Sequence, residues 1–143
     1  MFRKLTDTVY ASPQIGLAEV AEASRLGVTL IVNNRPEGES EDQIPGDEIA
    51  SAAKAAGIDY VAIPVTHAGF AEHQVNAMAD ALQAANGPVL AYCRSGTRST
   101  LLWALARAKA GDDHVLLARQ AAEAGYDLTP IRQIMDVLAA APR

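Results

Sequence analysis

Three short apolar runs with little polar alternation constrain the fold of this chain more than any other feature. They cover residues 28–34 (VTLIVNN), 60–65 (YVAIPV) and 88–93 (PVLAYC). Runs of this length, rich in β-branched residues, are typical of strands that are buried on both faces of a parallel sheet. Residues 7–12 (DTVYAS) form a weaker candidate, which we expect to be a first strand at the edge of the sheet.

Alanine-rich segments with helical periodicity separate the last three runs. Residues 47–57 and 75–87 place apolar side chains three and four positions apart, and both segments end at a glycine. From residue 97 onward the pattern is helical only. Alternating strands and helices with short connections predict an α/β fold, in which a mainly parallel sheet is flanked by helices and followed by a helical C-terminal part. With 143 residues, we expect a single domain over residues 1–143.

Charge and composition restrict the partners and the compartment. A net charge of −5 argues against a nucleic-acid-binding surface. A single cysteine cannot form an internal disulfide, which favours a reducing compartment. The first ten residues contain no apolar segment of a signal peptide, and no apolar stretch approaches the length of a membrane span. We therefore expect a cytoplasmic protein that binds neither nucleic acid nor membrane, and we leave its oligomeric state open, a homo-oligomer included.

The single cysteine, Cys93, lies at the end of the third run, in the sequence AYCRSGTRS (residues 91–99). In parallel sheets ligands bind beyond the carboxyl ends of the strands. A helix that begins near residue 97 directs unpaired N–H groups and its positive dipole end toward this loop, which favours a thiolate and a bound anion. The sequence therefore predicts an activated nucleophile inside an anion-binding loop. The alternative of a small buried apolar cysteine does not explain why glycine and arginine accompany it.

Each residue of this loop has an expected role. Arg98 offers a two-pronged guanidinium to an oxyanion, and Ser99 offers a hydroxyl that stabilises the thiolate as a leaving group. Gly96 allows the tight turn that aims backbone amides inward. The other expected anion-binding positions of the loop are Arg94, Ser95 and Thr97. The three histidines and the cysteine lack zinc-ligand spacing, and no glycine-rich nucleotide loop is present, so we expect neither a metal nor a cofactor.

The order of these segments resembles that of cysteine-dependent phosphatases, and of dual-specificity phosphatases in particular. The stretches SPQIG, NNRP and YCRSGTRSTLLWALA carry a closer resemblance, which covers nearly the whole chain. They are similar to the bacterial phosphatase-like domain that is also found joined to metallo-β-lactamase-type hydrolases. The resemblance implies hydrolysis of phosphate monoesters through a Cys93 thiolate.

Three departures from the phosphatase pattern leave other functions open. Tyr92 stands where a histidine usually precedes the nucleophile, and four residues instead of five separate Cys93 from Arg98. No aspartate follows residues 60–65 as a general acid. A loop one residue shorter resembles that of rhodaneses, so a sulfurtransferase with a persulfide on Cys93 is the alternative. A non-catalytic anion- or partner-binding module is the second alternative. The expected substrate is a small anion or a phosphorylated or persulfide-bearing molecule.

Two polar loops that follow other strands supply further candidates. His67 follows residues 60–65, where phosphatases of this layout keep their aspartate, and is the candidate general acid. A loop histidine without a catalytic role is an equally weighted alternative. Arg35, in the loop of residues 33–42, is expected to reach the anion and to recognise substrate. The acidic residues that follow it, within 37–42, are expected to be solvated and mobile.

Overall fold

The computed structural model describes residues 2–140, which form a five-stranded sheet flanked by six helices. The strands are β1 (Arg3–Thr6), β2 (Val9–Ser12), β3 (Leu30–Asn33), β4 (Asp59–Ala62) and β5 (Val89–Tyr92). The helices are α1 (Leu17–Arg25), α2 (Gly46–Ala55), α3 (Glu72–Ala84), α4 (Thr97–Ala110), α5 (His114–Glu123) and α6 (Arg132–Ala140), with a 3₁₀ turn (Thr129–Ile131) before α6. Within these residues, no helix has both the length and the apolar character needed to cross a membrane.

The sheet has the strand order β1-β2-β5-β3-β4. Strands β2, β5, β3 and β4 are parallel, and only β1 pairs antiparallel with its neighbour. Every residue of β3 and β5 is buried, because these strands lie in the middle of the sheet and are covered on both faces. Continuous burial explains why their sequences lack polar alternation. The predicted α/β fold with a mainly parallel sheet and a helical C-terminal part is therefore confirmed.

The expected edge position of residues 7–12 was wrong. This segment contains β2, which pairs with β5 on one side and with β1 on the other. The two edges belong to β1, whose sequence RKLT carries a single buried side chain, Leu5, and to β4. A strand with one apolar residue shows no period-two pattern, and the pairing of β1 with β2 therefore escaped prediction. The expectation that residues 60–65 form a strand buried on both faces was also wrong, because the residues of β4 are partly or fully exposed at this second edge.

Helix α1 lies in a segment for which the sequence predicted no element. Its nine residues bury only Val20 and Ala23. The helix begins after Gly16, whose backbone N–H donates a 2.7 Å hydrogen bond to Oε1 of Glu19. A short helix with so small an apolar face gives a weak periodic signal, and its start depends on Glu19 rather than on a Ser, Thr or Asp cap.

Two apolar clusters cover the two faces of the sheet and fix the position of the loop that follows β5. One cluster contains α4, in which every residue from Ser99 to Ala106 is buried, including Trp103. The other contains α1 and α2 together with Ile31 and Tyr92. Because β5 and α4 are both buried, the connection between them, residues 93–96, is held firmly at the carboxyl edge of the parallel strands.

Candidate active site

Cys93 directly follows β5, and its side chain is fully buried at the start of the loop that leads into α4. Its backbone N–H donates to the carbonyl oxygen of Ser12 at 3.3 Å, which ties the start of the loop to β2. Its Sγ accepts a hydrogen bond from the backbone N–H of Gly96 at 3.1 Å. An amide directed at the sulfur and the nearby N-terminus of α4 both place partial positive charge at this position.

Gly96 is required at its position for two independent reasons. Its φ of +92° lies in the left-handed region that side chains with a Cβ rarely adopt. A Cβ there would also overlap the hydroxyl of Tyr126 and lie 3.3 Å from the carbonyl carbon of Ser12. The same hydroxyl donates a 3.1 Å hydrogen bond to the carbonyl oxygen of Ser95. Tyr126 therefore packs against the loop and helps to fix its shape.

We expect Gly96→Ala to lower the free energy of unfolding by about 3 kcal/mol, because left-handed strain and overpacking add. Gly57→Ala is the matched control, since Gly57 also has a positive φ (+76°) but no atom lies within 4 Å of an added Cβ. The control should lose about 1 kcal/mol, from backbone strain alone. Urea unfolding of both variants measures the difference. Equal losses would show that the contact with Tyr126 does not constrain the loop.

Ser95 and Thr97 form a small polar unit at the N-terminus of α4. The Ser95 hydroxyl donates to Oγ1 of Thr97 at 3.0 Å and accepts the backbone N–H of Thr97 at 3.3 Å. Both residues are exposed, and so is Arg94, which precedes them. The sequence predicted that these three residues bind the anion, and the structure places them around the opening of the loop.

Arg98 makes three hydrogen bonds with groups from other parts of the chain. Its Nη1 donates to Oε2 of Glu39 at 2.6 Å and to the carbonyl oxygen of Val65 at 2.7 Å, and its Nη2 donates to Oε1 of Glu39 at 2.8 Å. Hydrogen bonding to Glu39 is the main cause that raises the pKa of Arg98, against the opposing effect of burial, and nearby Cys93 acts in the same direction. Arg98 is therefore a fixed cation beside the thiol.

Glu39 corrects the expectation that the acidic segment within 37–42 is solvated and mobile. Its side chain is only 16% exposed and forms ion pairs with both Arg35 and Arg98. Hydrogen bonding to Arg98 is the largest of several causes that lower the pKa of Glu39 to about 2. The prediction was wrong because the second partner of Glu39, Arg98, lies 59 positions away in α4, which charge patterning along the chain cannot reveal.

Arg35 is buried, with 4% of its side chain exposed. Its Nε donates to Oε1 of Glu39 at 3.0 Å, its Nη1 to Oε1 of Gln14 at 3.0 Å and its Nη2 to Oγ of Ser40 at 3.1 Å. These contacts are those of a residue that holds Glu39 in place. They differ from the direct contact with an anion that the sequence predicted for Arg35.

Ser99 does not donate to the cysteine in this structure. Its hydroxyl is fully buried and donates to Oδ1 of Asn34 at 2.8 Å. The amide of Asn34 in turn donates to the carbonyl oxygen of Ile63 at 2.9 Å. Ser99 and Asn34 therefore tie α4 to the ends of β3 and β4, which differs from the predicted stabilisation of the thiolate by Ser99.

His67 is exposed and lines an open cleft of about 310 Å³ beside the cysteine loop. Other residues that line this cleft are Phe70, Arg94, Ser95, Thr97, Arg98 and Leu101. The structure therefore brings the predicted general acid to the same cleft as Arg94, Ser95, Thr97 and Arg98, whereas Arg35 and Gly96 do not line it. His73 lies on the exposed first turn of α3, outside the cleft lining.

Tyr92, which precedes the nucleophile candidate, points away from the loop and into the cluster formed with α1 and α2. Its side chain is 1% exposed, and burial is the main cause that raises the pKa of its phenol. The hydroxyl therefore stays neutral, and Tyr92 cannot serve as an anion beside Cys93 at physiological pH.

Comparison with known proteins identifies the family. Residues 1–110 match the family model described as beta-lactamase hydrolase-like protein, phosphatase-like domain. A beta-lactamase hydrolase-like protein of Agrobacterium fabrum is 38% identical over 104 residues, which are 73% of this chain and 24% of that protein. The chain therefore spans about a quarter of the length of this curated relative.

Solved structures show the same fold. A candidate phosphatase from Neisseria meningitidis has a TM-score of 0.83 and 35% identity, covering 95% of this chain and 96% of that one. TpbA of P. aeruginosa, whose cysteine-to-serine variant was solved in complex with phosphotyrosine, has a TM-score of 0.61 and 22% identity, covering 94% and 90% of the two chains. These findings confirm the resemblance to cysteine-dependent phosphatases in fold, and the chain belongs to the phosphatase-like domain family of beta-lactamase hydrolase-like proteins.

Proposed function

We propose that this domain hydrolyses phosphate monoesters, with the thiolate of Cys93 as nucleophile. One observation carries the proposal: the Gly96 N–H is bonded to Sγ of Cys93 at the N-terminus of α4, with the Arg98 guanidinium close by. An amide, a helix dipole and a guanidinium together favour both a thiolate and a bound oxyanion. The family match over residues 1–110 supports phosphate as that oxyanion.

Arg98 keeps two hydrogen-bond donors for the substrate. A guanidinium carries five N–H groups, and three of those of Arg98 are bonded to Glu39 and Val65. A carboxylate that bridges Nη1 and Nη2 uses the N–H groups between these atoms. The Nε–H and the outer Nη2–H remain, and they point in parallel, as two phosphate oxygens require. Arg98 can therefore bind phosphate while it stays bonded to Glu39.

The first chemical step transfers the phosphoryl group to the enzyme. The Cys93 thiolate attacks phosphorus, an S–P bond forms, and the P–O bond to the leaving group breaks. His67, in its protonated form, gives its proton to the departing oxygen. Arg98 and the amides of the loop bind the nonbridging oxygens, on which charge accumulates in the transition state. The products are the free alcohol or phenol and a phosphocysteine.

The second step releases inorganic phosphate. A water molecule attacks the phosphocysteine and gives a proton to His67, which is neutral after the first step. An O–P bond forms, the S–P bond breaks, and Cys93 leaves as a thiolate. Both the nucleophile and the acid then return to their starting forms.

The spacing of the loop favours one other function, which is sulfur transfer. Four residues separate Cys93 from Arg98, as in rhodanese-like loops. In this reaction the thiolate attacks the outer sulfur of thiosulfate, the S–S bond breaks, and sulfite leaves a persulfide on Cys93. Cyanide then takes the outer sulfur as thiocyanate and regenerates the thiolate.

Parallel assays of the purified protein decide between the two reactions. We expect release of p-nitrophenol from p-nitrophenyl phosphate, and a far slower transfer of sulfur from thiosulfate to cyanide. Fast sulfur transfer without phosphatase activity would replace the first proposal by the second. Absence of both activities would indicate a module that binds anions or partners without catalysis.

His67→Ala tests whether His67 acts as the general acid, because two esters can be compared whose leaving groups differ in their need for a proton. We expect kcat for phenyl phosphate to fall about a hundredfold, because phenolate is a poor leaving group that needs a proton. For p-nitrophenyl phosphate we expect a loss below about tenfold, because its leaving group departs as a stable anion. Steady-state kinetics measures both losses, with the exposed His73→Ala as the matched control. Equal losses on both esters would contradict the role of His67.

A further inference from the structure

We infer that Glu39 is a positioning residue, which orients Arg98 so that its remaining donors face the anion above Cys93. This inference rests on the proposed function. The carboxylate of Glu39 contacts both terminal nitrogens of Arg98, at 2.6 Å and 2.8 Å. A two-point contact fixes the plane of the guanidinium and its rotation, whereas a one-point contact fixes neither. The bound edge of Arg98 therefore determines where its free edge points.

Glu39 is itself held by a buried partner, Arg35. Arg35 donates to Oε1 of Glu39 at 3.0 Å and is anchored by Gln14 at 3.0 Å and Ser40 at 3.1 Å. The backbone N–H of Glu39 donates to Oε1 of Gln43 at 2.9 Å. These contacts fix both the backbone and the carboxylate of Glu39. The loop between β3 and α2 thus contacts Arg98 through the carboxylate of Glu39.

Charge alone predicts that the Glu39 carboxylate weakens phosphate binding, whereas the positioning role predicts that it strengthens phosphate binding. This difference makes the inference testable. Arg35, Glu39 and Arg98 together carry a net charge of +1, and removal of the carboxylate raises it to +2. A site governed only by Coulomb attraction would then bind phosphate more tightly. A site governed by the orientation of Arg98 would bind it more weakly, because the free edge would no longer be aimed.

The protection of Cys93 from alkylation measures anion binding at the loop and does not depend on catalytic turnover. Iodoacetamide labels the thiolate, and inorganic phosphate slows the labelling where it occupies the loop. For Glu39→Gln we expect the phosphate concentration that halves the labelling rate to rise about ten- to hundredfold. Glu39→Asp keeps the charge but is one methylene too short for both contacts, so we expect a rise of similar size. Glu41→Gln, at an exposed carboxylate of the same loop, should behave as the wild type.

Thermal unfolding shows whether each variant is folded, and a crystal structure of the wild-type protein with phosphate gives a second test. We expect Glu39 to keep both contacts with Arg98 while Nε and Nη2 of Arg98 bind the phosphate. Displacement of Glu39 by phosphate, or unchanged or stronger protection in Glu39→Gln, would overturn the positioning role. Absence of protection in the wild type would instead contradict the proposed anion site itself.

Discussion

Replacing Cys93 by serine is expected to lower kcat for aryl phosphates by at least about a thousandfold while leaving the fold intact. A serine hydroxyl does not ionise near neutral pH, and within residues 2–140 the side chain of residue 93 is bonded to the N–H of Gly96 and to no basic side chain that would activate a hydroxyl. The fold should survive, because serine is nearly isosteric with cysteine and its oxygen can accept the N–H of Gly96 in place of Sγ. Steady-state kinetics measures the loss.

Two controls accompany the Cys93→Ser variant. Thermal unfolding should give a melting temperature close to that of the wild type, and calorimetry should still detect binding of inorganic phosphate. Together they separate a missing nucleophile from a damaged site. Wild-type rates of the serine variant with both aryl phosphate and thiosulfate would contradict the assignment of Cys93 to either reaction.

Arg98→Lys is expected to cost about 2–3 kcal/mol of transition-state binding, or about a hundredfold in kcat/KM. Lysine keeps the positive charge, but its single ammonium cannot contact two oxygens of Glu39, the carbonyl of Val65 and two oxygens of phosphate together. The loss therefore reports the geometry of the guanidinium rather than its charge. Kinetics with p-nitrophenyl phosphate measures it.

Arg94→Ala is the comparison for this variant, because Arg94 lies on the same loop but is exposed. We expect a loss of less than about tenfold, since an exposed cation contributes mainly screened attraction. Equal losses at the two arginines would show that the anion is not bound chiefly by Arg98.

The central strands could be predicted from sequence because of where they lie in the sheet. β3 and β5 are covered on both faces, and burial leaves a short continuous apolar run rich in β-branched residues, which is typical of such strands. β1 lies at the edge and contributes one buried residue, Leu5, so its pairing with β2 depends on backbone hydrogen bonds that any sequence can make. Edge strands of this kind leave no periodic signal.

The candidate site likewise has one part that the sequence predicted and one part that it did not. The residues of the loop from Cys93 to Arg98 are neighbours in sequence, so a strand end, a glycine and a helix start indicate their chemistry together. Glu39 reaches Arg98 across 59 positions of the chain, and only the packing of the β3–α2 loop against α4 brings them together. The spacing of Arg35 and Glu39, four residues apart, was the one available signal. Charged neighbours at that distance are common on exposed segments, where they carry no such role.

Rapid-quench mass spectrometry of the protein during turnover tests the proposed nucleophile most directly. The wild-type protein is mixed with excess p-nitrophenyl phosphate, quenched in acid within milliseconds and digested for peptide mapping. We predict that the peptide containing Cys93 gains the mass of one phosphoryl group, and that the Cys93→Ser protein shows no such gain. Turnover of the ester without a phosphorylated Cys93 peptide, or a phosphoryl group on another residue, would contradict catalysis by the Cys93 thiolate.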